Sequence, residues 1–517
     1  MQTYSVLYDS VLTFHFLPTE EINRAKSVLV IVQSSFTSHR TIEKILHECS
    51  IFFPDAIIVG GHSYGGVHDT TILEEKTLIT IHTFDKTRIH VHALEDIKRD
   101  ECIEAGRRLC KKVLRRDTKL LLLFSDTLGV DSEALFRGIV KTGGGVPLSG
   151  CMTADRGKYY ETAVFYGEKP LYKGAVLVAL NGSKLNVDLQ RYDFVKPVGP
   201  SFRIDNAEKD RVHRIDGERA FDFYAERLGE EFAKGLPANS LKISLFSCDK
   251  EYCRNIIGKD EDGTLRYAGH LEEGGEWKFA LFDHEKRCEI VIPTEPYESC
   301  ILFGDASQLA QEKAMLHPVV EGFGEKLNTT GMFGYGQFFH DGEKALLLNR
   351  AFVTVCLGES YIDGIGEERT VKLHLRSLWY EPDPLTAKAI LHLGEFLVSG
   401  SDLCMEALTQ LSQVTDRGVI IYNEKLKPLA ANDMAKTILG LDLKLLQEYS
   451  LKQLEEWIVE LMEAAVRGEY RTRVGSILDP TSGEMMPLRI EVVPLKKDHF
   501  ILGGIAYIFP EGMHERG

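Results

Sequence analysis

No stretch of this chain reaches the roughly 18 consecutive apolar residues of a membrane-spanning helix. Met1–Pro18 lacks the basic start and apolar run of a secretory signal. A basic excess is also missing. The 517 residues carry a formal net charge of −16, whereas nucleic acid or an anionic membrane as main partner calls for a basic patch. The 10 cysteines are scattered and form no C-x2-C pair. Cys248 and Cys253, spaced C-x4-C with Cys288 and Cys300 further on, are therefore a weak zinc signal, and small buried hydrophobes are the better reading. No P-loop, kinase histidine box or cyclase-type Gly-Gly-acidic motif occurs. These absences lead us to expect a cytoplasmic protein without catalytic output, with no cofactor assigned.

What is present is ordinary globular material, 44% hydrophobic and 27% charged, long enough for about three domains. Ser27–Gln33 reads as a buried strand, followed by a helix over Arg40–Ser50 and a strand over Asp55–Gly60. Thr77–Phe84 and Arg88–Leu94 read as paired strands, and Ile97–Leu114 as a helix. Strand Lys119–Phe124, helix Ser132–Val140 and strands Val146–Gly150, Glu161–Phe165 and Gly174–Leu180 follow. Parallel-style βα units mixed with hairpins indicate α/β architecture of the mixed α+β kind.

Three loops follow buried strands in this half. They are Gly60-Gly61-His62-Ser63-Tyr64-Gly65-Gly66, Phe124-Ser125-Asp126-Thr127-Leu128-Gly129, and Leu148-Ser149-Gly150-Cys151-Met152-Thr153-Ala154-Asp155. Glycine lets backbone approach a ligand, small hydroxyls supply donors and acceptors, and ligands sit at the carboxyl ends of strands in open α/β sheets. The loops are expected to line one pocket. Gly61–Gly65 also matches G-x-S-x-G, so an esterase-like hydrolase using Ser63 is the rival. A nucleophile elbow needs a helix after the serine, and Gly66–Thr70 reads toward another strand. Gly143-Gly144-Gly145 precedes a strand and is a connector rather than a phosphate cradle.

Beyond Pro200, Val212–Ala220 reads as strand, turn and helix, and Asp260–Gly263 as a hairpin tip. Gly331-Met332-Phe333-Gly334-Tyr335-Gly336-Gln337-Phe338 follows, and Leu346–Leu348 with Ala351–Leu357 reads as a strand pair around Asn349. In this order, Lys119–Asp126, Gly150–Asp155, Ile215-Asp216-Gly217 with Ala220, and Gly334-Tyr335-Gly336 before Asn349 resemble a FIST domain (F-box and intracellular signal transduction) over about Ser27–Leu357. The resemblance implies a two-part region, 1–200 and 201–381, that senses a small ligand. The ligand-binding candidates are His62, Ser63, Gly65, Ser125, Asp126, Gly150, Asp155, Tyr335, Gly336, Gln337 and Asn349. Where the family's motif ends Gly-Glu, this chain has Gly336-Gln337, which weakens any amine-binding role there. A haem-based nitric-oxide sensor is an alternative, with His62, His317 or His340 as the ligand. His82, His90 and His92 read as an exposed strand face.

The last stretch reads as strands Gly418–Tyr422 and Lys427–Ala431, a helix capped by Asn432 and stopped at Gly440, and an amphipathic helix over Leu451–Arg467. Strands Tyr470–Ile477, Met486–Pro494 and Phe500–Phe509 complete it. This order, with Leu429–Ala435 and Ile438–Leu441, resembles a PAS domain over 416–510, which implies a five-stranded antiparallel sheet with helices. Pro382 and Pro384 mark a boundary before a helical linker, 382–415, whose apolar stripe suits pairing in a homodimer. With no output expected after the PAS module, a separate signalling protein such as a histidine kinase or cyclase is the expected partner.

Overall fold

The computed structural model describes every residue except 251, 283–288, 312, 360–368, 375–384, 387, 390–391, 394–417, 441–449, 479–482, 498–499 and 511–517. Most of the linker, with its prolines and glycines, thus lies outside the described residues, as does Cys288. The architecture is mixed α/β.

The apolar run after Ser27 forms the strand Ser27–Ser34, whose residues from Val28 onward are all buried, as expected of a strand covered on both faces. Helix His39–Phe52 turns Ile42, Ile45, Leu46 and Cys49 inward. It returns the chain to strand Ile57–His62, parallel to the first. The same succession recurs twice. Thr118–Ser125, helix Ser132–Gly143 and Leu148–Met152 form the second parallel pair. Ser299–Asp305, helices Ala306–Gln311 and Lys313–Gly324, and Asn328–Gly334 form the third.

Each pair is the middle of a six-stranded sheet, and the three sheets share one plan. Beside the first parallel strand lies an antiparallel return strand: Thr77–Phe84, Ala175–Asn181 or Ala351–Gly358. Beyond it lies an outer strand: Gln2–Tyr8, Arg88–Leu94 or Asn186–Asp193. Beside the second parallel strand lies a hairpin that a different unit donates. Gly65–His68 with Thr71–Leu73 completes the third sheet. Val164–Tyr166 with Lys169–Leu171 completes the first, and Gln337–His340 with Ala345–Leu348 the second. The three units exchange hairpins in a closed ring. Gly60, Gly150 and Gly331 face Val32, Leu123 and Leu302 across the parallel pairs. A Cβ at any of the three would overlap the facing carbonyl oxygen, so the close approach of each pair requires glycine there.

This plan corrects several sequence readings. Thr77–Phe84 and Arg88–Leu94 are not partners but sit in different sheets. Leu346–Leu348 and Ala351–Leu357 are likewise separated, because Ala345–Leu348 belongs to an exchanged hairpin and Ala351–Gly358 is a return strand. Adjacency in sequence suggested hairpins, but each return strand must lie beside the first strand of its own parallel pair. His82 is fully buried rather than on an exposed face, because its strand lies between two others. The boundary expected near 200 falls inside strand Val195–Glu208, and the second and third sheets mix strands from both sides of it.

Between Asn186–Asp193 and Ser299–Asp305 the chain inserts an eight-stranded sheet. Its Trp277, Phe279 and Leu281 share a core with Phe339, Leu348 and Val353 of the exchanging units. Near the C-terminus, five strands form an antiparallel sheet in the order Pro428–Ala431, Gly418–Asn423, Phe500–Pro510, Met485–Lys497, Arg471–Leu478. Asn432 caps the helix Asp433–Leu439 by accepting from Ala435 N–H, and Gly440 ends it in the left-handed region. Helix Glu456–Val466 buries Ile458, Leu461 and Met462. These elements follow the sequence reading, except that the helix expected from Leu451 begins at Glu456, after a separate 3-10 turn over Leu451–Gln453.

Candidate functional site

The carboxyl ends of the three parallel pairs converge. Tyr64 N–H donates to the Phe333 carbonyl at 2.8 Å, Ala154 N–H to that of His62 at 3.0 Å, and Met152 N–H to that of Gly336 at 2.8 Å. Each bond joins one unit to the next, so the loops after His62, Met152 and Gly334 close a ring. Two of the three loops expected to line a pocket, together with Tyr335–Gln337, are thus the three matching loops of this ring.

Inside it lies a buried polar network. Tyr335 Oη donates to Asp155 Oδ1 at 2.7 Å and accepts from Gly157 N–H at 2.7 Å. Asp155 also accepts from Tyr159, Tyr160 and Glu161 N–H, which folds 156–163 around its carboxylate. The Tyr159 ring stacks on Tyr335 at 4.6 Å and 12°. Asn349 Nδ2 donates to the Tyr335 carbonyl at 2.6 Å and to Asp305 Oδ2 at 3.3 Å. Asp305 further accepts from Ser307 N–H at 2.9 Å, Ser307 Oγ and Asn255 Nδ2 at 3.2 Å. Gln308 Oε1 accepts from Asp305 N–H at 3.1 Å, and Gln337 Nε2 donates to the Gly304 carbonyl at 2.9 Å.

Among the described residues, three atoms of this network have no hydrogen-bond partner: Tyr159 Oη, Gln308 Nε2 and Gln337 Oε1. Burial raises the carboxyl of Asp305 above its ordinary pKa, against the hydrogen bonds from Ser307 and Asn349. Burial likewise raises the phenols of Tyr159 and Tyr335, with neighbouring carboxylates adding to it. The phenols therefore stay protonated as donors at neutral pH.

The remaining candidates divide. His62 Nδ1 accepts from Ala163 N–H at 3.1 Å, so the proton sits on Nε2, which has no partner. Burial lowers its pKa to about 4, against the charge of Asp155, and keeps the ring neutral. Ser63 Oγ donates to the Gly65 carbonyl, and strand Gly65–His68 follows it. With a strand in place of a helix and its hydroxyl tied to backbone, Ser63 lacks the elbow a nucleophile needs. Gly65 lies against Leu309, and Gly336 against Met152 and Asn349. Gly150 keeps its parallel pair close and contributes no side chain.

Ser125 and Asp126 form a separate group. Ser125 Oγ pairs with Ser132 Oγ at 2.9 Å. Asp126 accepts from Thr162 Oγ1, from Lys173 N–H at 2.8 Å and from Leu128 N–H at 3.3 Å, and burial raises its pKa despite these bonds. The loop at 125–129 thus joins the others through Thr162 and through Thr153, whose N–H donates to the Ser125 carbonyl at 2.9 Å. His340 commits its ring nitrogens to the Lys344 and Gly144 carbonyls at 3.2 and 2.8 Å, and His317 is exposed. Neither offers the free nitrogen in an apolar pocket that a haem requires. Among the described residues no group of three or more His, Cys, Asp or Glu could hold a metal.

Sequence reading missed Tyr64, Tyr159, Asn255, Asp305 and Gln308. A signal existed for two of them. Phe303-Gly304-Asp305 repeats Phe124-Ser125-Asp126, and Tyr64 stands four residues after Gly60 as Tyr335 does after Gly331. Internal repetition would have paired them.

The fold is thus a mixed α/β body of three hairpin-exchanging units with a polar centre, together with a small antiparallel module. Residues 28–218 match the family model of the FIST N domain, a family of sensory signal-transduction domains. No curated protein matches the chain. Among solved structures, the PAS domain from Bordetella pertussis BvgS is similar at 14% identity, over 20% of this chain and 83% of that one, with a TM-score of 0.16.

Proposed function

We propose that the chain is a cytoplasmic, non-catalytic signal-transduction sensor that binds a small polar ligand at the buried centre of the three units. It relays the signal through the linker 382–415 and a PAS module at 416–510 to a separate signalling protein, such as a histidine kinase or cyclase, and it works as a homodimer. The reading is carried by Tyr159 Oη, Gln308 Nε2 and Gln337 Oε1, which lack partners although buried. Buried polar atoms are nearly always paired. A phenol, an amide donor and an amide acceptor on one Asp305–Asn349–Tyr335 network describe the complement of a small molecule with both donors and acceptors. The FIST N match over 28–218 supports a sensory role. The order of the C-terminal sheet, 2-1-5-4-3 in chain order, supports the PAS reading.

Native mass spectrometry of the purified full chain beside Gln337→Leu tests this. The expected result is a dimer mass with a retained small molecule in the wild type, and loss of that molecule in the variant. A bare polypeptide mass in both overturns the ligand reading, and a monomer mass overturns the dimer.

A further inference from the structure

A cleft of about 570 Å³ opens between the second unit and the inserted sheet. Lys98, Arg99, Lys173, Arg211 and Arg266 line it, against a single lining acid, Asp96. This is a concentration of positive charge in a chain of net −16. Some of it is neutralised from behind. Arg99 pairs with Asp210, and Arg211 and Arg266 share Asp260 at 3.3 and 3.7 Å. Lys98 reaches Glu101 at 3.8 Å, an exposed pair of little weight.

One group remains uncompensated and a second is weakly paired. Lys173 has no ion pair among the described residues. Arg266 Nε, buried and without a hydrogen bond among the described residues, has only the Asp260 carboxylate at 3.7 Å. Lys173 is also placed by the fold. Its backbone is left-handed, with φ of 46°, its N–H is held by Asp126 at 2.8 Å, and its side-chain stem lies directly over Gly129. The matching residues of the other units, Glu75 and Arg350, are left-handed too, with φ of 52° and 55°. Arg350 is buried and spends its guanidinium on the Ala280 and Leu241 carbonyls at 3.0 and 3.3 Å. Glu75 binds Arg156. Of the three, Lys173 alone presents its charge to an open cleft.

We propose that this cleft binds a small molecule carrying two or more negative charges on carboxylate or phosphate groups. Lys98, Arg99 and Lys173 would hold it from the second unit, and Arg211 and Arg266 from the inserted sheet. Like charges gathered in a cleft repel one another and focus a positive potential, and an anion relieves that repulsion. Arginine forks and lysine ammonium groups both serve carboxylate and phosphate oxygens. The volume falls within the range of small-ligand sites. Such an anion would bridge two parts of the chain, so its binding favours the arrangement in which both parts reach it. This inference does not rest on the buried polar centre.

The test is calorimetric titration of the full chain with sodium pyrophosphate and, separately, with sodium citrate, each against sodium chloride of equal ionic strength. One-to-one binding of at least one probe is expected. Arg211→Gln and Lys173→Asn should each weaken it about tenfold, with melting in chloride unchanged; asparagine tolerates the left-handed backbone. Binding of pyrophosphate alone assigns a phosphorylated ligand, binding of citrate alone a polycarboxylate, and binding of both a site that reads charge. If Lys173→Asn does not fold, Arg211→Gln carries the test. Binding of neither probe, or affinity unmoved by the folded variants, overturns the proposal.

Discussion

Where the three sheets of the body meet, the chain buries Asp155, Asp305, Gln308, Gln337 and Asn349. Where the C-terminal sheet meets its helices, it buries Ile420, Leu461, Met462, Leu488, Ile490 and Ile508. Among the described residues of that module, Asn432 is the only buried polar side chain, and it is spent on capping. Even Tyr422 turns its hydroxyl to the Met462 carbonyl at 3.1 Å, bonding the sheet to the helix from within. An apolar core gains stability from area removed from water and asks for no partner. A polar centre loses stability for each atom left unbonded. The proposed relay falls to the part with the first arrangement, and the proposed recognition to the part with the second.

The largest effect of a single substitution should come from breaking the polar centre. Asp305→Ala strands the donors of Ser307 and Asn255 in a dry interior, at a cost of about 3 kcal/mol. Hydrogen exchange read region by region should show loss of protection across the three exchanging units and none in 418–510. Equal loss in both regions would erase the distinction between them.

A comparable effect should follow pH. Burial lowers His62 and His82 from 6.5 to about 4. Below pH 6.5 the unfolded chain takes up these protons and the folded chain does not, so stability is full above 6.5 and falls as pH drops toward 4. The loss is about 3 kcal/mol for each ring. Asp126 and Asp305, raised by burial, act with the opposite sign and offset part of it. Thermal melting from pH 7 to 4.5 should show the body destabilised, and His62→Gln should flatten its slope. A slope unchanged by that variant would mean that His62 is solvated.

The smallest effect should belong to the module. Tyr422→Phe removes one hydrogen bond and leaves the packing, costing about 1 kcal/mol. Denaturation followed by exchange within 418–510 reads it, and protection in the three units should stay as it was. A loss of several kcal/mol would show that Tyr422 belongs to a wider polar network.

Much of this was legible in the residues. The continuous apolar runs after Ser27 and Lys119 demanded buried strands. Asn432 and Gly440 bounded their helix through local hydrogen bonding and backbone freedom. The loops at His62, Gly150 and Tyr335 stood out because small residues and hydroxyls follow buried strands. Asp305 did not stand out, because nothing within a few residues of it reveals Asn255 and Asn349, which give it meaning. Tyr159 gains its place only because Asp155 folds the loop back onto Tyr335.

The sequence by itself determined the elements, since strand periodicity, caps and turn residues act over a few neighbours. It also determined the composition of the centre: glycines where carbonyls face them, hydroxyls and amides at strand ends. Only the tertiary structure decided which strands pair. Each unit gives its hairpin to another, and the exchange is held by hydrogen bonds between residues far apart in sequence, such as that from Tyr64 N–H to the Phe333 carbonyl at 2.8 Å. Pairing across that distance depends on the whole assembled surface, which no local pattern of residues encodes.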